Sequence, residues 1–238
     1  MIDQLVVNNR VKSSCELLEE ATLATRFEFD VPYESEDIGP NDLPGDGDLY
    51  SFVSAMRSPQ AMYFQGSNES HFRIGGISAL GITNQPFSIV FWVHPQNLSG
   101  ALIHVASVPD GRSWCMPYMG FNGNGSLFVQ ILSAGVKPVL LIDLLPVQTW
   151  SHIAQTWSPI NGLRLYVNST LMASNPSLTS NSASGVPMYV FIGSGVTGLF
   201  HCARGALTFR QPFPGAIDDF RIYSRELTDV DLCTIQNS

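Results

Sequence analysis

The densest chemistry in this sequence lies between residues 27 and 56, where Glu28, Asp30, Glu34, Glu36, Asp37, Asp42, Asp46 and Asp48 occur without a lysine or arginine. Crowded carboxylates repel one another unless water solvates them or a cation bridges them. Calcium suits such a stretch, because it takes carboxylate and carbonyl oxygens in flexible geometry and the interspersed Gly and Pro residues expose carbonyls. Asp46 and Asp48, flanking Gly47, form a smaller acidic group that lacks the full EF-hand spacing. Near the C-terminus, Ala216, Asp218, Phe220 and Ile222 share one alternation parity, whereas Asp219 shares the outward parity of Arg221 and Tyr223. A carboxylate on a core face needs a partner. For Asp218 that partner is either a cation or, with the acidic loop simply solvated, backbone amides or an arginine.

Catalytic signatures are missing. Glycoside hydrolysis ordinarily needs two placed carboxylates, and the glucanase pattern Glu-x-Asp-x-x-Glu does not occur; Glu34, Glu36 and Asp37 fall in a turn-like loop instead. There is no G-x-S-x-G elbow, and the five histidines lack metal-ligand spacing. Residues 107–114 approach a sialidase Asp-box, but the Asp is displaced by one position and there is one copy. These absences predict a protein that is not an enzyme. Trp114, Tyr118 and Asn122 cluster with Phe121 and Asn124 in one loop-rich stretch. Rings that stack on pyranose faces beside amides that bind hydroxyls make a candidate ligand site; the competing use is core or interface packing.

Four cysteines, Cys15, Cys115, Cys202 and Cys233, are widely spaced with no C-x-x-C pair. An even count suits two disulfides, and reduced structural thiols are the alternative. Asn68, Asn97, Asn124 and Asn168 each begin an N-x-[ST] sequon, whereas Asn175 is followed by Pro176 and is blocked. Together these features predict an extracellular setting.

The elements that must position these groups are strands. Phe87, Ile89, Phe91 and Val93 line one face of a period-two segment, with Ser88, Val90, Trp92 and His94 on the other. Leu127, Val129 and Ile131 repeat the pattern, as do Leu163, Leu165 and Val167, with turn clusters between. Helical signal is confined to residues 13–24 and to about 228–236, where Thr228 is a good N-cap and Asp229 and Asp231 oppose the helix dipole. With 238 residues and 45% hydrophobic content the chain can fill one large sandwich core. Its net charge of −8, with only Lys12 and Lys137 as lysines, argues against a nucleic-acid or other polyanion partner. No apolar run approaches a membrane span, and residues 1–7 do not read as a signal peptide.

Six segments in order, at 27–30, 61–66, 87–95, 150–154, 162–168 and 213–223, resemble the laminin G-like, concanavalin A-like jelly-roll family, which is related to pentraxin modules. The resemblance covers residues 26 to 232. It implies an all-β fold: a two-sheet antiparallel jelly-roll sandwich with a short C-terminal helix, occupying residues 15–238 as a single domain. Residues 1–14 stand outside as an arm, read either as a strand pairing with this chain or a neighbour or as a disordered leader. The resemblance also implies a structural calcium held by Asp37, Gly39, Asn41 and Asp218. Because the family's chain ends lie side by side, it implies a Cys15–Cys233 pair, leaving Cys115 for Cys202. The function expected is a noncatalytic extracellular recognition or adhesion module binding glycan or protein. The alternatives are a self-assembling structural glycoprotein joined through the arm and, least favoured, a glycosidase.

Overall fold

The computed structural model describes residues 11, 13–135, 139–143, 145–194, 202, 205–207 and 212–238, with only the backbone at Ser14 and Cys15. Most of the predicted arm, residues 1–10 and 12, lies outside the described residues. Period-two alternation becomes two antiparallel sheets. One contains β1 (Leu23–Phe27), β3 (Tyr50–Ser54), β4 (Gln60–Gln65), β6 (Phe87–Pro95), β11 (Ser151–Ser158), β12 (Gly162–Val167), β13 (Thr170–Asn175) and β15 (Pro214–Tyr223). The other contains β2 (Gly45–Asp48), β5 (His71–Ile77), β7 (Gly100–Ala106), β8 (Cys115–Phe121), β9 (Leu127–Gln130), β10 (Val139–Ile142) and β14 (Met188–Ile192). The first sheet runs β13-β12-β11-β6-β15-β4-β3, with β1 also paired to β15; the second runs β10-β9-β8-β7-β14-β5-β2.

The core sits between the sheets, where the apolar faces of the strands meet. Phe87, Ile89, Phe91 and Val93 from β6, Trp157 from β11 and Leu163 and Leu165 from β12 pack against Ile103, Val105, Tyr118, Val129, Val190 and Ile192 of the facing sheet. Burying each such side chain contributes roughly 1.5–3 kcal/mol, so truncating Phe91 or Trp157 to alanine costs about 3–5 kcal/mol. Gly193, at φ +84, lies so close to the Phe64 ring that a Cβ would sit 2.4 Å from Phe64 Cδ1. Only glycine combines that backbone with that contact.

Two helices cap the first sheet at the chain ends. Helix α1 (Ser14–Thr22) starts with a capping box between Ser13 and Glu16, and α2 (Asp229–Asn237) starts with one between Thr228 and Asp231. Leu232 and Ile235 of α2 lie on Val90, Ala154, Tyr166 and Tyr223, so the outer face of the first sheet is covered over one half. On the outer face of the second sheet, the Cys115–Cys202 disulfide and the Ala206 N–H bond to Gln130 Oε1 tie Cys202 and Ala206 to β8 and β9. Cys233 is a free thiol on the exposed side of α2. The predicted Cys15–Cys233 link is therefore not made here, because α2 turns Cys233 outward while Leu232 and Ile235 face the sheet; the Cys15 side chain lies outside the described residues.

Candidate functional site

The site begins with a break in register. Between Asp218 and Arg221 the pairing of β15 with β6 shifts, and Asp219 adopts φ 44, which is the geometry of a β-bulge. Ile217 faces the core, and after the extra residue Phe220 and Ile222 do so as well. Ala216 and Asp218 therefore point to the outer face, which corrects the simple parity that placed Asp218 with Phe220 and Ile222. Asp218 is nonetheless only 1% exposed, because the outer face is roofed by other residues at this point.

Directly across from Asp218 on β6 stands Trp92, and across from Trp92 on β11 stands His152, whose ring lies 5.1 Å from that of Trp92. The Arg57 guanidinium sits 5.7 Å above the Trp92 ring. One register step along, His94 lies 5.2 Å from Trp150. Ser58 Oγ is 3.0 Å from Asp218 Oδ2 and 2.7 Å from the Gln60 carbonyl, and the Gln60 N–H donates to Asp30 Oδ1 at 2.9 Å. A polar chain thus runs from Asp218 through Ser58 and Gln60 to Asp30. Asp30 in turn lines a groove of about 330 Å³ with Glu28, Tyr33, Glu36 and Ile38. Tyr33 is 61% exposed there.

Electrostatics separate two adjacent carboxylates. Burial, with smaller contributions from the charges of Asp219 and Asp30, pushes Asp218 up to about 7, although Ser58 and the Asp219 N–H partly stabilise its anion. Ser58 has one proton and two acceptors, so protonated Asp218 completes the chain by donating to Ser58 while Ser58 donates to Gln60; the anion instead draws the Ser58 proton to itself. Burial alone would raise Asp219 too, but hydrogen bonds and charge from Arg221 and Arg26 hold it below the usual carboxylate range. His152 is lowered to about 4, mainly by burial and secondarily by Arg221 and Arg57, and is a neutral ring near neutral pH.

Within the predicted calcium set, the Asp37 carboxylate and the Asn41 amide engage backbone groups of this chain. Asp37 Oδ1 accepts from the N–H groups of Arg26 and Gly39, both at 2.8 Å, and Oδ2 accepts from Leu43 N–H at 2.9 Å. The Asn41 side-chain amide donates to the Ala24 carbonyl. Asp218 shares none of these partners. A carboxylate that closes a loop on three amides already has the counter-dipoles that a cation would supply. The smaller acidic group is likewise occupied, since Asp46 pairs with Arg73 and Asp48 accepts from Leu49 N–H. Among the described residues, His104, Cys115 and Cys202 also come together, but the two sulfurs are joined to each other.

The predicted ligand residues have structural duties. Tyr118 is fully buried against Phe87, Trp114 packs on the core, and Asn122 Oδ1 accepts from the N–H groups of Asn124 and Ser126 to close the β8–β9 turn. Instead, Tyr33 lines the groove beside Asp30, while Ser58, Trp92 and His152 stand around Asp218. The acidic stretch and the polar face of β6 signalled part of this arrangement, whereas the Arg57–Ser58 approach across the sheet has no sequence signal.

Residues 66–233 match the family described as the concanavalin A-like lectin/glucanases superfamily. The chain belongs to that superfamily. Solved structures of the same fold include the botulinum neurotoxin serotype G binding domain, with a TM-score of 0.64 at 14% identity over 90% of this chain and 50% of that one. Another is the binding domain of Paraclostridial Mosquitocidal Protein 1, with a TM-score of 0.65 at 15% identity over 92% of this chain and 52% of that one. This chain thus spans about half the length of those toxin domains. A third is domain 4 of AbnA, an extracellular arabinanase from Geobacillus stearothermophilus, in complex with arabinotriose, with a TM-score of 0.61 at 19% identity over 90% of this chain and 98% of that domain. No curated protein matches in sequence.

Proposed function

We propose that this protein is a noncatalytic extracellular recognition module that binds neutral glycan in the groove beside Asp30. The observation that carries the reading is the exposed Tyr33 ring placed among Glu28, Asp30 and Glu36 in one groove. An aromatic face stacks on a pyranose, and carboxylates accept hydrogen bonds from its hydroxyls. The same carboxylates repel sulfated or sialylated chains, as does the net charge of −8. Superfamily membership and the arabinotriose-bound domain of the same fold support a sugar; the neurotoxin fold relatives include one in complex with SialylT and one in complex with synaptotagmin II, so a protein partner is the second reading.

Catalysis is disfavoured by burial. Asp218 has the proton affinity of a general acid, yet at 1% exposure it is sealed behind Ser58 and Trp92 and reaches no glycosidic oxygen. The disulfide and four exposed sequons support the extracellular setting. A glycan array followed by calorimetric titration tests the proposal. Neutral oligosaccharides should bind, and Tyr33→Ala should weaken them about tenfold, equivalent to about 1.4 kcal/mol, without lowering the melting temperature. An array empty of neutral glycans, or full affinity in Tyr33→Ala, sinks this assignment; capture of a cationic protein segment by the same groove would favour the second reading.

A further inference from the structure

The four glycan-acceptor sequons come from separate turns, yet the topology gathers them at one end of the sandwich. Pairing of Gln65 with Pro214 and of Gly215 with Pro95 brings the end of β4 and the end of β6 to the same rim. Asn68 follows β4, and Asn97 follows β6 in a turn tied by the Gln96 N–H bond to the Pro214 carbonyl. Asn124 lies in the β8–β9 turn, whose Gly125 packs on Leu98. Asn168 lies in the β12–β13 turn and accepts from His152 N–H, next to Ser151, which pairs with Val93 near the same end of β6. All four are exposed.

The opposite end, where β6 begins at Phe87, is also rich in turn asparagines but carries no acceptor among them. Asn84 and Asn181 are joined by a hydrogen bond there, Asn161 sits in the β11–β12 turn, and Asn175 ends β13. None of the four starts a sequon, and Asn175 fails only because Pro176 follows it before Ser177.

We propose that N-linked glycans crown the Pro95 end of the sandwich and leave the Phe87 end bare, so that the molecule has a sugared pole and a protein pole. A partner then reaches the protein through the groove beside Asp30 or the bare pole, because flexible glycans exclude bulky partners from the turns that bear them. This rests on the extracellular reading and adds to it a polarity that occupancy alone does not supply.

The test is secretion of the whole chain from a eukaryotic host, followed by enzymatic deglycosylation and mass spectrometry, which converts each used asparagine to aspartate. Conversion at Asn68, Asn97, Asn124 and Asn168 is expected, with one glycan mass lost in each of Asn68→Gln, Asn97→Gln, Asn124→Gln and Thr170→Ala. The last variant removes the sequon while keeping the Asn168 bond to His152. Small-angle scattering should show the glycoprotein elongated at one end relative to its deglycosylated form. Secreted protein with the Cys115–Cys202 bond formed but two or more of these asparagines bare overturns the crown and spares the extracellular reading. A chain retained in the cell with both cysteines reduced overturns both.

Discussion

Two buried aspartates show how differently this fold treats the same side chain. Asp37 is 8% exposed and Asp218 is 1% exposed, yet Asp37 is wrapped by three backbone N–H donors while Asp218 has one N–H and a shared serine hydroxyl. The first is a loop fastener, because backbone amides in fixed positions stabilise its charge. The second is a charge held under stress, because burial outweighs the donors available. Degree of burial therefore says little about role; the number of donors that converge on the carboxylate distinguishes a structural acid from one poised beside a site.

The largest expected effect breaks the structural side of that pair. Asp37→Ala removes the acceptor for Arg26, Gly39 and Leu43 N–H at once and should lower stability in urea denaturation by about 3–5 kcal/mol. Asp218→Asn should act in the opposite direction. The native Asp218 keeps its proton up to about 7, whereas the unfolded chain loses it near 3.8, so this group makes stability fall as pH rises between those values. His104 and His152 are lowered from 6.5 to about 4, so they make stability rise with pH between about 4 and 6.5. The wild type should thus be most stable near pH 6.5, and Asp218→Asn should replace the decline above it with a plateau, gaining about 1–3 kcal/mol at pH 8 and nothing below pH 4. Equal pH profiles for the two proteins would remove Asp218 from this account.

Smaller effects sharpen the contrast. Ser58→Ala should push the Asp218 pKa further upward, read by carboxyl-carbon NMR, because the hydroxyl that stabilises the anion is gone. The smallest change is expected from a chelator, which should leave the melting temperature unmoved; a clear drop would show that a cation does hold the acidic loop together and that the amides around Asp37 are not sufficient.

Much of the architecture was legible along the chain. The residues of β6, β9 and β12 that alternate in sequence face the core as expected, and the capping residue Thr228 starts the terminal helix. The candidate site was legible only in fragments. Parity failed at Asp218 because a bulge inserts one residue and reverses every inside–outside assignment on one side of it. The aromatics at 114–122 were visible as a cluster, but a ring looks the same in sequence whether it stacks on a sugar or fills the core, and Tyr118 does the latter.

By itself, the sequence determined that the chain would form strands with apolar faces, end in a capped helix, carry an excess of acid and offer four sequons, since each follows from local spacing and residue chemistry. Only the tertiary structure decided which carboxylates meet amides and which meet each other, and that turns far apart in the chain share one pole. Those outcomes depend on strand order and register, which are set by the packing of the two sheets as a whole and are encoded in no single segment.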